Sequence, residues 1–131
     1  MEKYKFVAEY ELRASPKVLF PYISTASGLS QWFASRVNVL PNHLYDFYWD
    51  DESHPARQVS IRQNKSVRFE FLNGTDGERS DNNYIDFRVD VSELTQSTFL
   101  RIVDYSGNTD AEELKSMWQG LIEKLKEIVG S

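Results

Sequence analysis

The stretch TDAEELKSMWQGLIEKLKEIVG, residues 109–130, decides the fold. Thr109 with Glu112 three residues later forms a capping box at the start of a helix, and Gly130 suits its end. Apolar side chains recur between them at helical spacing, which predicts an amphipathic helix of about 20 residues, near 30 Å long. They are Leu114, Met117, Trp118, Leu121, Leu125, Ile128 and Val129. A stripe this continuous needs a sheet to cover it.

The middle of the chain supplies such a sheet, because from residue 36 onward it follows the two-residue period of half-buried strands. We predict strands over 36–40, 44–49, 57–63, 66–72, 84–91 and 97–105. Their connections are Pro41-Asn42, an acidic loop over 50–55, a two-residue turn at Asn64-Lys65 and a polar loop over 73–83. Because most connections are short, strands adjacent in sequence should pair as an antiparallel meander.

The pattern of residues 4–33 predicts one further strand followed by two short helices. Ser15-Pro16 supplies an N-cap and a first helical residue for a helix that ends near Ser24, and a second helix covers 27–33. The inward side of the first strand carries Tyr4, Phe6, Ala8, Tyr10 and Leu12. The prediction is therefore an α+β fold in a single domain, residues 1–131. A curved antiparallel sheet of about seven strands has two short helices after strand one and a long C-terminal helix.

Composition excludes several classes of function. The chain has 131 residues, 40% of them hydrophobic, and a formal net charge of −5, which argues against nucleic acid as a partner. The apolar stretches are far shorter than the roughly 20 residues that cross a bilayer, so we expect no membrane insertion. The first residues lack an apolar signal segment, and there is no cysteine, so disulfides and thiolate metal sites are excluded. We expect a cytoplasmic protein that is a monomer or a weak dimer.

Five motifs resemble one known group of proteins when taken in order. They are Ala14-Ser15-Pro16 with Leu19-Phe20, Leu29-x-x-Trp32-Phe33, Phe69-x-Phe71, Thr98-x-Leu100-x-Ile102-x-Asp104, and Trp118-x-Gly120-Leu121 followed by Leu125. These motifs, together with the order of the predicted strands and helices, resemble those of the START-like superfamily, which is also called SRPBCC or birch-pollen-allergen-like. Within it they look most like the activator-of-heat-shock-ATPase homologue family.

The resemblance implies a helix-grip fold with a cavity between the concave face of the sheet and the C-terminal helix. Relatives use this cavity for lipids, polyketides, plant hormones or nothing known, and the fold does not choose among them. This chain is shorter than many relatives and has a compressed connection between its third and fourth strands. We therefore expect a small or partly filled cavity.

The predicted ligand-binding residues are mostly aromatic side chains that the strand alternation turns inward. They are Trp32, Phe33, Tyr45, Phe47, Trp49, Phe69, Phe71, Phe87, Asp104, Trp118 and Leu121. Val59 and Ile61 belong to the same predicted inner face. Aromatic walls suit planar apolar ligands, because rings stack favourably. The same residues also suit a filled core, and sequence does not distinguish the two.

Asp104 is the one carboxylate in this set. It is in phase with Leu100 and Ile102, so it should point inward, where it could polarise a ligand hydroxyl or act as a base. If strand seven ends there, it lies in solvent instead. Tyr10 and Tyr45 could also orient a ligand, although bonds to the backbone would satisfy a core tyrosine equally well. Gly120 lies inside the last helix, and we expect close packing to compensate for it.

No catalytic or metal-binding motif stands out. His43 and His54 lack metal-ligand spacing, and Asp50, Asp51 and Glu52 beside His54 fit a solvated acidic turn better than a divalent-ion site. Phosphate-binding glycine loops and nucleophile elbows are also missing from the sequence. We predict no metal, no cofactor and no catalytic residues.

The leading functional hypothesis is a non-enzymatic START-like domain. It would bind a small hydrophobic or aromatic ligand, lipid- or polyketide-like, in the cavity between the sheet and the C-terminal helix. Two alternatives remain. One is a protein-interaction or chaperone-cofactor-like module without a ligand; the other is a cyclase- or hydrolase-like enzyme that uses inward polar residues.

Overall fold

The computed structural model describes residues 2–73 and 79–130. The elements in chain order are β1 (Tyr4–Leu12), α1 (Pro16–Ser24), α2 (Ala26–Leu29), β2 (Arg36–Leu40), β3 (Leu44–Trp49), β4 (Glu52–Arg62), β5 (Ser66–Asn73), β6 (Arg79–Val91), β7 (Thr98–Ser106) and α3 (Ala111–Val129). The strands form one antiparallel sheet in the order β1-β7-β6-β5-β4-β3-β2. The predicted α+β fold is confirmed, including the two short helices after β1 and the long C-terminal helix.

The short helices contact each other, and they also contact β2, β5 and β6 of the sheet. The Ser15 side chain caps α1 as predicted. The second helix is shorter than the predicted 27–33, so Trp32 and Phe33 follow α2 in a turn. The Trp32 indole N–H donates a 2.8 Å hydrogen bond to the carbonyl of Tyr22, which ties this turn to α1. Both rings are buried in the core.

The prediction of an acidic loop over 50–55 is wrong. The turn between β3 and β4 contains only Asp50 and Asp51. Their φ angles are 53° and 61°, as a two-residue type I′ hairpin turn requires, and aspartate tolerates this left-handed region. β4 begins directly after the turn. His54 consequently lies in a strand, paired with Phe47 on the inner face of the sheet.

A β-bulge in β4 overturns another part of the predicted inner face. The register with β5 shifts between Gln58 and Ser60, which reverses the alternation within the strand. Val59, predicted to point inward, is 43% exposed. Ile61 pairs with the buried Val67 and so keeps the predicted inner register, but it lies near the strand end and is 50% exposed. Gln58 takes the inner position instead and donates a hydrogen bond of 3.3 Å to the hydroxyl of Tyr45.

The sixth strand begins earlier than predicted. Part of the predicted polar loop over 73–83 is strand, because the backbone of Arg79 and Ser80 pairs with the end of β5, where Leu72 is the partner of Ser80. Backbone pairing does not depend on side-chain polarity, so the polar sequence concealed this part of β6. Residues 74–78 lie outside the described residues.

The cap of α3 differs from the predicted one. Asp110 is the N-cap, and its carboxylate accepts a 3.1 Å hydrogen bond from the backbone N–H of Glu113. The predicted capping box of Thr109 with Glu112 is therefore out of register by one residue. Gly130 ends the helix with a φ of 89°, the left-handed conformation that favours glycine.

The buried face of α3 is also rotated slightly from the predicted stripe. Met117 and Ile128 are 45% and 36% exposed, whereas Ile122, outside the predicted stripe, is buried. The predicted close packing at Gly120 is wrong, because this residue is exposed and a methyl group there would meet open space. The fully buried side chains of the helix are Leu114, Trp118, Ile122 and Leu125.

Candidate ligand-binding cavity

A cavity of about 470 Å³ lies between the inner face of the sheet and α3. Residues of β3 to β7 form one wall, and α3 forms the other. Its mouth includes the half-exposed side chain of Met117. The lining comprises Phe33, Trp49, Ser53, His54, Pro55, Phe71, Leu72, Asn83, Tyr84, Ile85, Asp104, Tyr105, Ser106, Met117, Trp118 and Leu121.

Aromatic rings in mutual contact form the apolar part of the lining. Phe33 stacks on Trp118 with a centroid separation of 5.7 Å and packs edge-on against Trp49 at 5.2 Å. Trp49 also contacts Phe71 at 6.3 Å. The Trp49 indole N–H donates a 2.7 Å hydrogen bond to the carbonyl of Phe33, which fixes the orientation of this ring. These rings are therefore held in place by the fold.

The buried carboxylate of Asp104 is the main polar feature of the cavity. The residue is 7% exposed, and its Oδ2 accepts a 2.8 Å hydrogen bond from the indole N–H of Trp118, which is fully buried. Burial raises the pKa of Asp104 above its ordinary value, and the hydrogen bond from Trp118 partly opposes this effect. Asp104 thus faces inward, as the strand alternation predicts, and is not in bulk solvent.

His54 is a cavity residue that the sequence analysis did not select. Its ring lies 5.2 Å from that of Trp49, between centroids, and it is half-buried. It was missed because residues 50–55 were assigned to a loop. Reading Asp50-Asp51 as a two-residue turn would have placed His54 on the same face as Phe47.

Six of the predicted ligand-binding residues line the cavity: Phe33, Trp49, Phe71, Asp104, Trp118 and Leu121. The other five, Trp32, Tyr45, Phe47, Phe69 and Phe87, pack in the core and do not line it. Phe47, for example, is fully buried and meets Phe69 edge-on at 5.4 Å. A ligand-binding role for these five stays a prediction, and their packing against protein does not favour it.

The hydroxyl of Tyr45 bonds to protein. It donates to the carbonyl of Ser24 at 3.3 Å and accepts from the Gln58 amide. Burial raises its pKa, and the hydrogen bond with Gln58 lowers it in part. Asp104 lines the cavity and Tyr45 does not, so these two inward polar residues do not share one site.

The described residues contain neither a cluster suited to a metal ion nor a helix suited to a membrane. Among the side chains of residues 2–72 and 83–130, no group of three or more histidine, aspartate and glutamate residues is placed to hold a metal ion. None of the helices in the same ranges combines the length and the apolar character needed to cross a bilayer. Asp50 and Asp51 are exposed at their turn.

A sheet that closes on a C-terminal helix, with a cavity between them, defines a helix-grip protein. The model of the START-like superfamily domain matches residues 1–131. The chain therefore belongs to the START-like superfamily, as its motifs predict.

Solved structures share this fold across several bacteria. A protein of Bacteroides fragilis is 34% identical, with coverage of 100% of this chain and 94% of that chain and a TM-score of 0.64. The Aha1 dimer from Colwellia psychrerythraea is 17% identical over 96% of each chain, with a TM-score of 0.75. A Bacillus halodurans protein is 18% identical, with coverage of 98% of this chain and 99% of that chain and a TM-score of 0.73. The last two likenesses show the fold alone. No curated protein matches this chain significantly in sequence.

Proposed function

We propose that this chain is a non-enzymatic, cytoplasmic START-like domain that binds a small hydrophobic or aromatic molecule between its sheet and α3. The observation that carries the proposal is the cavity of about 470 Å³ at that place. Pockets for small molecules typically measure about 300–1,000 Å³ and combine apolar walls with a few polar groups. The aromatic lining around Asp104 has this composition.

The orientation of the walls supports binding. Trp49 and Trp118 each use their indole N–H in a hydrogen bond to protein, at 2.7 and 2.8 Å. These side chains are already ordered, so a ligand would pay little entropic cost for ordering them on binding.

The filled core favours a compact ligand. Phe47, Phe69 and Phe87 are at most 1% exposed and do not line the cavity. Their packing restricts a ligand to the space near the helix, which suits a planar, polyketide-like molecule better than a long acyl chain.

Mass spectrometry of the small molecules carried by the purified native protein is the direct test. The expected result is a compact, largely apolar compound that copurifies in stoichiometric amount. A protein that carries nothing and binds no member of an aromatic compound panel in calorimetry would overturn the proposal.

A matched pair of variants tests the location. Leu121→Trp should fill the cavity and weaken binding of the copurifying compound, or of a panel compound, by about tenfold or more, since a tenfold loss needs only about 1.4 kcal/mol. Leu94→Trp makes the same change at a residue that is 97% exposed and does not line the cavity, so it should leave binding unchanged. Equal binding by both variants would place the site elsewhere.

A second candidate function is protein interaction through β2, which lies at an edge of the sheet. Its Val39 and Leu40 are 57% and 46% exposed, and an edge strand can pair with a strand from another chain. Sedimentation of the parent and of Val39→Lys at the same concentration tests self-association. A parent that is monomeric at about 100 μM would remove a second copy of the chain as the partner.

A further inference from the structure

The carboxylate of Asp104 is buried and forms no ion pair with the described side chains. Among the side chains of residues 2–72 and 83–130, Arg68 forms ion pairs with Glu70 and with Asp86, and none involves Asp104. Its one hydrogen bond with these described side chains comes from a neutral group, the indole of Trp118. The side chain nevertheless lines the cavity with 7% of the residue exposed. The described side chains therefore include no cation paired with this carboxylate inside the largely apolar site.

Such an arrangement is unfavourable in the empty protein, because a buried charge needs an opposite charge or several hydrogen bonds to offset its lost hydration. A bound cation would supply both. The hydrogen bond from Trp118 leaves acceptor capacity on the carboxylate for such a ligand.

The surrounding rings add a second source of attraction for a cation. Trp118 borders both Asp104 and the stacked ring of Phe33, while Trp49 and Phe71 form the neighbouring wall. The faces of aromatic rings, tryptophan above all, attract organic ammonium groups. The chain as a whole carries a formal net charge of −5, which favours the approach of cations over anions.

Building on the proposed function, we infer that the cavity selects an organic cation, a compact molecule whose apolar body contacts Trp49 and Phe71 and whose protonated amine faces Asp104. The other ionisable side chains among the lining residues are His54, Tyr84 and Tyr105. Asp104 is the only carboxylate among the described lining residues. Asp104 is thus the group that distinguishes an amine from a neutral or acidic molecule of the same shape.

Three compounds of matched size test this selection: 1-naphthylmethylamine, 1-naphthalenemethanol and 1-naphthoic acid. Calorimetry at pH 7 with the parent chain should show the amine binding at least about tenfold more tightly than the alcohol, since hydrogen bonds to charged groups are roughly twice as strong as neutral ones. The acid should bind most weakly.

Asp104→Asn should remove the preference, because asparagine keeps the shape and an acceptor for Trp118 but carries no charge. The amine should lose about tenfold in affinity, while the alcohol changes by less than about threefold. Asp90→Asn removes the same charge from an exposed position outside the cavity lining and should leave the preference intact. This control separates a local effect of Asp104 from a change in net charge.

The outcomes separate the inference from the proposed function. Equal binding of amine and alcohol to the parent would overturn the inference and leave the proposed function standing. If Leu121→Trp also fails to weaken the binding of any of the three compounds, the cavity is not the binding site. That result would overturn both the inference and the proposed function. The comparison on the parent chain needs no variant, so it decides the inference even if Asp104→Asn does not fold.

Discussion

The indole Nε1 of Trp118 donates a 2.8 Å hydrogen bond to Oδ2 of Asp104, and this bond joins α3 to β7. Both residues are buried, and both line the cavity. The bond therefore combines a structural role, holding the helix to the sheet, with the orientation of the carboxylate inside the candidate site.

Replacement of Trp118 by phenylalanine should destabilise the protein by about 2–4 kcal/mol, because it leaves the buried carboxylate without its donor and removes part of a packed ring. Urea denaturation followed by circular dichroism measures the loss. The double variant Trp118→Phe/Asp104→Asn should recover part of it, with a coupling of about 0.5–3 kcal/mol. Strictly additive effects would mean that the bond contributes nothing to stability.

Asp104→Asn should change how stability depends on pH. Burial raises the pKa of Asp104 in the folded state above its ordinary value of 3.8, so the folded state holds this proton more tightly than the unfolded chain. The contribution of the Asp104 carboxyl group to the free energy of unfolding is fully present below pH 3.8. It is lost as the pH rises through the raised pKa of the folded state. Asparagine does not titrate, so the variant does not lose this contribution. The Tm of the variant minus that of the parent should therefore increase as the pH rises through the folded pKa of Asp104, and then level off.

Thermal unfolding of both proteins from pH 3 to pH 8 measures the effect. Asp86 has a raised pKa too, caused first by burial and opposed by Arg68 and other cations, but it is present in both proteins and cancels in the difference. A Tm difference that does not vary with pH would contradict the assignment of Asp104 as a buried, titrating group.

Gly28→Ala should destabilise the contact between α1 and α2. An added Cβ would overlap the carbonyl oxygen of Pro21 and lie 2.6 Å from the Cα of Tyr22, so backbone would have to move. Overpacking of this kind costs about 1–3 kcal/mol. Chemical denaturation measures the change, and unaltered stability would show that the helices separate freely.

Gly120→Ala is the matched change in open space. This glycine lies inside α3, is exposed, and has room for a methyl group. Alanine should stabilise the helix by about 0.5–1 kcal/mol, since glycine costs conformational entropy there. A lower Tm in differential scanning calorimetry would mean that the position has a packing role after all.

Asp110→Ala should weaken α3 by about 1 kcal/mol, because the cap to the N–H of Glu113 is lost. Thr109→Ala should change stability by less than about 0.5 kcal/mol, as is usual for an exposed side chain. Denaturation midpoints of the two variants compare the observed cap with the one predicted from the capping-box motif. The reverse order of effects would restore Thr109 as the cap.

Most elements were predictable because their signals are local. The alternation of β1 correctly turned Phe6 and Leu12 inward, and the same pattern in β7 turned Asp104 inward. Two of the errors in the sheet arose where a partner strand decides the outcome. The bulge beside Gln58 and the early start of β6 depend on pairing with β5, which leaves no clear mark in the sequence of either strand.

The site was predicted only in part for a similar reason. Six of the eleven predicted residues line the cavity, because inward alternation selects both cavity and core residues without separating them. His54 was missed through one turn whose length was overestimated. Its position required the register of β3 with β4.

The sequence by itself determined the order and type of the elements, the membership of the START-like superfamily and the inward direction of Asp104. Periodicity and turn chemistry act over a few residues, so they can be read along the chain. Only the tertiary structure decided where the aromatic interior is filled and where it is open, and that the indole of Trp118 meets the carboxylate of Asp104. These features depend on how far and at what rotation α3 lies above the sheet, which is set by the packing of all the side chains between them.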